Sequence, residues 1–452
     1  MLNQAYESQC KSVTTHCTNQ RQLDRRTLTL LTLALGTFSI GTSEFASMGI
    51  LQLFASSLKL DISTATHAIE AYAFGVVLGG PAVTMLTAKL NRKTLLLLLM
   101  SVFLIGNLLS AVAAGLGMFT LARFVSGVPQ GAYFGAAAVV ASYIVGPGQG
   151  GRAFAMVMTG LTVATIFGSP LATWLGQNMG WRNAYFAVTG LGALSFLALW
   201  LWVPRSDALA GGPVLQEIRA LNNPSVWATV VVAALGVASI FAVYTFISLF
   251  VTEAASLSAA WTPIALGIFG VGMTVGNLIG GRMADCRPSR GLVVGFSSAL
   301  VALASLAMGG EHAWVLLSGL FAVGATMMVA IPAIQVRLTQ AAPDAPTLMG
   351  ALNLAALNIA NAIGAWAGGQ AIAQGYGLLS AAWAGFALTL AGLLLFLVLL
   401  RTGRRDAADA AQYVLASEEP TSTRSRPRGS ACALVRSDSM SSSSASTRAV
   451  RS

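Results

Sequence analysis

The sequence predicts an all-α polytopic membrane protein, with twelve transmembrane helices arranged as two six-helix bundles. Three observations carry that prediction. Only 9% of the 452 residues are charged while 55% are hydrophobic, against about 25% charged in a soluble globular domain. A mean hydropathy of +0.71 agrees. Apolar runs of membrane-crossing length follow one another from Leu28 to Leu400, and the basic residues gather in alternate gaps between them. Soluble enzymes, secreted disulfide scaffolds and nucleic-acid binders are thereby demoted.

The first 27 residues are a polar tail with Arg21, Arg25 and Arg26, too long and too polar for a secretory signal. Spans then fall near 28–54, 65–88, 94–115, 118–143, 153–176 and 184–203, and near 226–251, 262–283, 290–309, 312–336, 347–372 and 378–400. Each is long enough for about 30 Å of hydrocarbon at about 1.5 Å per residue. The first bundle is thus 28–203 and the second 226–400. Between them lies the longest internal loop, 204–225, marked by Pro204, Gly211, Gly212 and Pro213. Residues 401–452 read as a disordered tail, because the chain from Ser417 onward is rich in Ser, Arg and Thr.

Charge placement sets an expected orientation. With the N-terminus inside, the inner segments hold Lys89, Arg92, Lys93, Arg152, Arg205, Arg219, Arg282, Arg287, Arg290, Arg337 and the arginines of both tails. Outside there are only Lys59 and Arg182, and Arg123 lies within a span. Both termini are therefore expected in the cytoplasm, with the protein multi-pass in a cell inner membrane. The net charge of +10 then reflects topology, with no nucleic acid implied. Cys10, Cys17, Cys286 and Cys432 all fall on the inner side, where structural disulfides are rare. Cys10 and Cys17 with His16 make a weak metal-ligand set, and no metal or cofactor is expected.

An internal repeat supports the six-and-six division. A shift of 197 residues lays Gly75, Gly79, Lys93 and Gly127 on Gly272, Gly276, Arg290 and Gly324. Transporters are often built from such repeats.

Glu44 is the most informative residue. It sits inside the first span, and an acid at a span's centre costs about 2.5–3.5 kcal/mol on insertion scales. A carboxylate that gains and loses a proton as a cavity changes sides is a natural coupling device; hydrogen-bonded glue between helices is the alternative. Arg123 is the one base deep in a span, and Gly127, Gln130 and Phe134 share its helix face. It either offsets Glu44 or holds a substrate oxygen, or it is bonded to backbone carbonyls as a structural arginine. Under the repeat, Glu44 falls on Phe241 and Arg123 on Leu320, so the charged machinery belongs to the first bundle.

Gly160, Gly168 and Pro170 in the fifth span predict a kinked, tightly packed helix. Asn353, Asn358 and Asn361 in the eleventh either bind a polar substrate or bond across helices. Tyr72, Tyr133, Tyr244 and Phe241 are candidate cavity aromatics, and Glu70 and Glu253 fall at outer span ends. All three histidines lie outside the membrane core and no GxxxxGK[ST] phosphate loop is present. Intramembrane zinc proteolysis and ATP hydrolysis are therefore unsupported.

Three segments carry a resemblance: GTSEF in the first span, RFVSGVPQGAYFG at 123–135, and GLTVATIFGSP with GWR at 180–182. Over about residues 28–400 the chain resembles the major facilitator superfamily. Within it, the chain is most like the drug:proton antiporter branch of arabinose-efflux-type permeases and amphenicol exporters. The resemblance implies a two-bundle transporter with alternating access. It matches Glu44 to the family's embedded acid and Arg123 to a base associated with proton transfer. It also matches Gly160, Gly168 and Pro170 to an antiporter motif, and Gly281, Asp285 and Arg290 to a gating loop. In the corresponding first-half loop, TMLTAKLNRK, Ala88 stands where the family has an acid and Asn91 where it has a glycine, so the lock there is weaker or rests on Asp285 alone. Gln130 stands where related chains often have histidine.

The reading is a monomeric, non-enzymatic exporter that trades an inward proton for an outward small organic molecule across the bilayer. Gln130, Tyr133, Tyr244, Asn358 and Asn361 are the cavity candidates. The alternatives are an uptake symporter using the same acid, a membrane enzyme acting on lipids, and a non-transporting sensor.

Overall fold

In hydrocarbon a backbone must satisfy its own hydrogen bonds, which leaves the helix as the element for apolar runs of this length. The computed structural model describes residues 25–47, 50–59, 62–258 and 260–418. Among them twelve helices are long and apolar enough to cross a membrane. The first six are α1 (Arg25–Ser47), α2 (His67–Leu86), α3 (Arg92–Ala111), α4 (Leu116–Val145), α5 (Gly150–Met179) and α6 (Trp181–Trp202). The second six are α7 (Pro224–Tyr244), α8 (Trp261–Cys286), α9 (Pro288–Gly309), α10 (Ala313–Ala341), α11 (Pro346–Ala373) and α12 (Ser380–Thr402). Each agrees with an expected span to within a few residues, except where the first and seventh spans break into shorter pieces. A separate helix, Leu51–Ser57, follows α1, and a short helix, Ile247–Leu249, with a π-turn, Phe250–Ala254, follows α7.

Local chemistry sets the ends. Asn91 caps α3, its side chain accepting from the Lys93 N–H at 3.0 Å, and Asn223 caps α7 in the same way through Ser225. Pro224, Pro288 and Pro346 occupy first turns, where a missing N–H is harmless. Inside α2 and α5 a five-residue π-turn, Gly75–Gly79 and Ala164–Gly168, immediately precedes Gly80-Pro81 and Ser169-Pro170. Proline cannot donate to the preceding turn, and the widened turn absorbs the mismatch. The kink expected in the fifth span is therefore present, and α2 repeats it.

The 197-residue repeat is visible as packing. A Cβ on Gly75 would strike the Phe124 carbonyl and one on Gly272 the Phe321 carbonyl; Gly79 meets Val128 as Gly276 meets Ala325. Gly127 lies on Tyr72 as Gly324 lies on Phe269. Each pair of partners is itself offset by the same shift. Small residues let α2 approach α4, and α8 approach α10, closely enough for backbone contact.

The connection between bundles divides its attachments. Near α6 it lies on the first bundle: the Asn91 amide donates to the Ser206 carbonyl at 2.9 Å, and Gly211 is pressed against the Ala88 carbonyl. After Gly211-Gly212-Pro213 it forms a linker helix, Val214–Leu221, that packs against both the end of α2 and the start of α7. There the Trp227 indole N–H donates to the Leu221 carbonyl at 2.7 Å and the Asn223 amide to the Ala341 carbonyl at 2.7 Å. We call this end of the molecule the linker side.

The chain forms two units, one ending at Leu400 and one beginning at Arg401. The last helix runs Ser380–Glu418. Residues 401–418, read from sequence as part of a disordered tail, are therefore helical; their alanine-rich stretch favours helix, and serine enrichment begins only at its end. The Cys10, His16 and Cys17 set and the serine-rich end lie outside the described residues.

Candidate functional site

A small cavity lies between the bundles. The first bundle contributes Glu44, Phe45, Gln130, Met158, Leu161 and Thr165; the second contributes Phe241, Tyr244, Phe269, Met273, Met328 and Asn358, among others. The Glu44 carboxylate, half-buried in this wall, accepts a hydrogen bond from the Gln130 amide at 3.0 Å. Gln130 Oε1 is buried without a partner. Rings of Phe45, Tyr244 and Phe269 follow one another at centroid distances of 5.9 and 5.5 Å, crossing from α1 through α7 to α8. Most of the remaining wall is apolar.

Arg123 is wholly buried and lies outside the cavity wall. Its guanidinium donates to the Ser43 hydroxyl at 3.0 Å and to the Ser43 carbonyl at 3.1 Å, and it stacks over the Tyr72 ring at 4.4 Å. The Ser43 hydroxyl in turn donates to Asn107 Oδ1 at 2.6 Å. Arg123 therefore grips the backbone next to Glu44 and makes no ion pair with it among the described residues. Stacking on an aromatic face with forked donation is how a buried guanidinium is accommodated.

Of the sequence candidates, Glu44, Gln130, Tyr244, Phe241 and Asn358 meet in the cavity. Tyr133 does not: its ring is packed over Gly36 of α1 and its hydroxyl points to the Leu33 carbonyl at 3.4 Å. Asn361 is part-buried one turn from Asn358, beyond the cavity wall, and Asn353 is bonded to Gln335 Oε1 at 3.0 Å. Tyr72 serves Arg123, not the cavity. Gly160 and Gly168 are where α5 meets α1, against Ala34, Thr37 and Thr42; a side chain at either would separate the helices. Sequence reasoning missed Ser43 and Asn107, because a serine and an asparagine in membrane helices carry no signature until a buried arginine is seen to need them.

The linker side of the cavity is sealed along α5 and α8. Thr274 donates to Thr162 at 3.0 Å, and the Asn277 amide donates to the Ala155 carbonyl at 2.7 Å. Asp285 accepts from the Gly151 N–H at 2.6 Å and the Arg152 N–H at 3.2 Å, and pairs with the Arg152 side chain at 3.5 Å. Gly281 packs on Ala155, whereas Arg290 is exposed and takes no part. A carboxylate on the first N–H groups of α5 is favoured by both unpaired donors and the helix dipole. Across the other seam, Gly135 of α4 and Gly350 of α11 meet with no room for a Cβ on either. Asn277 and Thr274 were not singled out from sequence either.

A cavity between two repeat-related bundles, sealed at one end and walled by an embedded acid, defines a transporter. The model of the Major Facilitator Superfamily matches residues 33–365, and the chain belongs to that family. It is 35% identical over 367 residues to the inner membrane transport protein YdhP of Escherichia coli strain K12, covering 80% of this chain and 94% of that one. It is 31% identical over 371 residues to a chloramphenicol resistance protein of Streptomyces lividans, covering 81% and 95%. Its fold matches the crystal structure of the E. coli fucose:proton symporter FucP with a TM-score of 0.65, at 16% identity over 83% of this chain and 98% of that one. The chain is thus a multi-pass membrane transporter of small molecules and not an enzyme.

Proposed function

We propose that the protein is a proton-coupled exporter of small amphipathic organic molecules, working from the inner membrane with both termini in the cytoplasm. The observation that carries this reading is the setting of Glu44. Its carboxylate is in the cavity wall, one side-chain amide holds it, and the nearest buried base is committed to Ser43. Such a group is available both to a proton and to a substrate, and competition between them couples the two fluxes. A proton moving inward through about 100 mV releases about 2.3 kcal/mol. Half a pH unit adds about 0.7 kcal/mol, and the sum supports a substrate gradient of about 100-fold.

The wall favours an amphipathic cargo over a sugar. Its apolar lining includes Met158, Met273, Met328, Phe241 and Phe269 beside aliphatic residues, and the Gln130 and Asn358 amides already donate to Glu44 and to the Leu354 carbonyl. Few donors remain for a polyhydroxylated solute, and methionine-rich surfaces adapt to varied apolar shapes. The relative named for chloramphenicol resistance supports the same direction.

The test is transport in proteoliposomes with an imposed pH gradient. Chloramphenicol is expected to move against the proton flux in the parent protein. Glu44→Gln is expected to abolish gradient-driven movement while leaving insertion intact. Movement of substrate with the protons would establish symport, and an active Glu44→Gln would remove the acid from the mechanism.

A further inference from the structure

A carboxyl group needs different neighbours in its two protonation states. Ionised, it only accepts hydrogen bonds; protonated, it also has an O–H to place. The side chain that holds Glu44 is Gln130, which is 1% exposed. One end of its amide, Nε2, donates to Glu44 Oε2 at 3.0 Å. The other end, Oε1, is buried in the same wall and has no hydrogen-bond partner. A buried polar atom without a partner is rare enough to call for a reason.

The other groups around Glu44 are committed or belong to the opposite bundle. On α4, Arg123 holds Ser43, and the Tyr72 ring of α2 lies under that guanidinium. On α6, the Tyr185 hydroxyl is bonded to Ser47 at 3.0 Å. Tyr244 stands in the wall from α7, and α5, α8, α10 and α11 bring no ionisable side chain to the cavity. Glu44 and Gln130 both belong to the first bundle, so they stay together when the bundles rock. An amide carries its donor and its acceptor on atoms of nearly equal size, and a half-turn of the group exchanges them within one volume.

We propose that the Gln130 amide turns over when Glu44 takes a proton. Its Nε2 donates to the carboxylate, and after the half-turn its Oε1 accepts the O–H of the acid. Gln130 is thus a positioning residue that ties Glu44 to α4 in both states, and the unpartnered oxygen is the acceptor held for the second. The proposal rests on the reading of Glu44 as the acid that exchanges protons. A lysine at this place would favour the ionised form alone, and an apolar side chain would bond neither form.

Infrared difference spectra on a pH step test this in the full chain held in nanodiscs, with neither cargo nor gradient. The Gln130 carbonyl band is the one lost in Gln130→Met and shifted by carbon-13 glutamine; the Glu44 acid band is the one lost in Glu44→Gln. As the acid band appears, the Gln130 band is expected to move to lower frequency, because accepting a hydrogen bond weakens a carbonyl. The move should be absent in Glu44→Gln. An acid band that appears while the Gln130 band stays in place would overturn the turnover and leave the coupling reading intact. A Glu44 that takes no proton would overturn both. Should Gln130→Met fail to insert, Gln130→Asn removes the same glutamine band and identifies it instead. Efflux driven by a pH gradient supplies a second reading. Gln130→His, whose neutral ring both donates and accepts, is expected to stay within about threefold of the parent, and Gln130→Lys to lose about tenfold or more. Parent-like efflux in Gln130→Lys would overturn the proposal.

Discussion

Arg123 is joined to Glu44 through one backbone residue. Its guanidinium holds the Ser43 hydroxyl and carbonyl, while the Glu44 carboxylate turns the other way, to Gln130. The base thereby fixes the position of the acid without neutralising it by contact. Loss of Arg123 should accordingly be read first as loss of geometry.

Replacing Arg123 should produce a graded series. Hydrogen bonds to charged groups contribute about 1.5–3 kcal/mol, and lysine cannot fork onto both Ser43 oxygens. Ser43→Ala, which leaves the carbonyl bond, is expected to be mildest, Arg123→Lys intermediate and Arg123→Leu most severe. Apparent Tm in detergent gives the order, and transport should fall in the same order. Equal transport in Arg123→Leu and the parent would show that the clamp does not position the acid.

The α5–α8 seam offers a second comparison. Polar bonds between membrane helices average about 0.6 kcal/mol and reach about 1.7 kcal/mol. Asn277 is wholly buried and donates to both the Ala155 carbonyl and the Thr159 hydroxyl, whereas Thr274 is part-buried and its partner Thr162 also bonds Thr159, so Asn277→Ala should cost more than Thr274→Val. Both should increase alkylation of a cysteine placed at Ala155 from the linker side, Asn277→Ala more strongly.

Gly135→Val should pry α4 from α11. The new side chain meets the Thr347 backbone, and overpacking of this kind costs about 1–3 kcal/mol. Gly115→Ala, where a Cβ meets nothing, is the matched control. Thermal stability should fall in the first and stay unchanged in the second.

The linker helix predicts a pH dependence with a definite sign. Burial pushes the Glu217 carboxyl up to about 7 against the opposing pull of Arg92. The charged groups on the elements around it are Arg92, the part-buried Lys93 and the exposed Lys89, with exposed Arg219 on its own helix. Folding raises this group's proton affinity, so its contribution to stability is full below about 4.5 and is lost as pH rises through about 7. Glu217→Gln, which cannot ionise, should remove that loss, so the variant should gain stability relative to the parent between about pH 6 and about pH 8. Apparent Tm of both proteins at the two pH values checks it.

Much of this architecture was legible beforehand. Helices declare themselves by length and apolarity, and the repeat by glycines that can tolerate no side chain, as Gly75 and Gly272 show. Glu44 was legible because an acid in lipid is expensive. Tyr133 was misplaced because a tyrosine's spacing gives its helix face and not its neighbour, here α1. Ser43, Asn107 and Asn277 were silent, since their roles depend on which helix lies opposite. Glu217 was hidden for a related reason: an acid in a polar loop reads as solvated until the fold buries it.

The repeat has broken its own symmetry: where the first half carries Glu44 and Arg123, the second carries Phe241 and Leu320. Under the proposed coupling, one lobe holds the power source and the other much of the mould. Substitutions in the mould would then redirect which compounds are accepted while the power source stays intact, and the cargo could change without the engine being rebuilt.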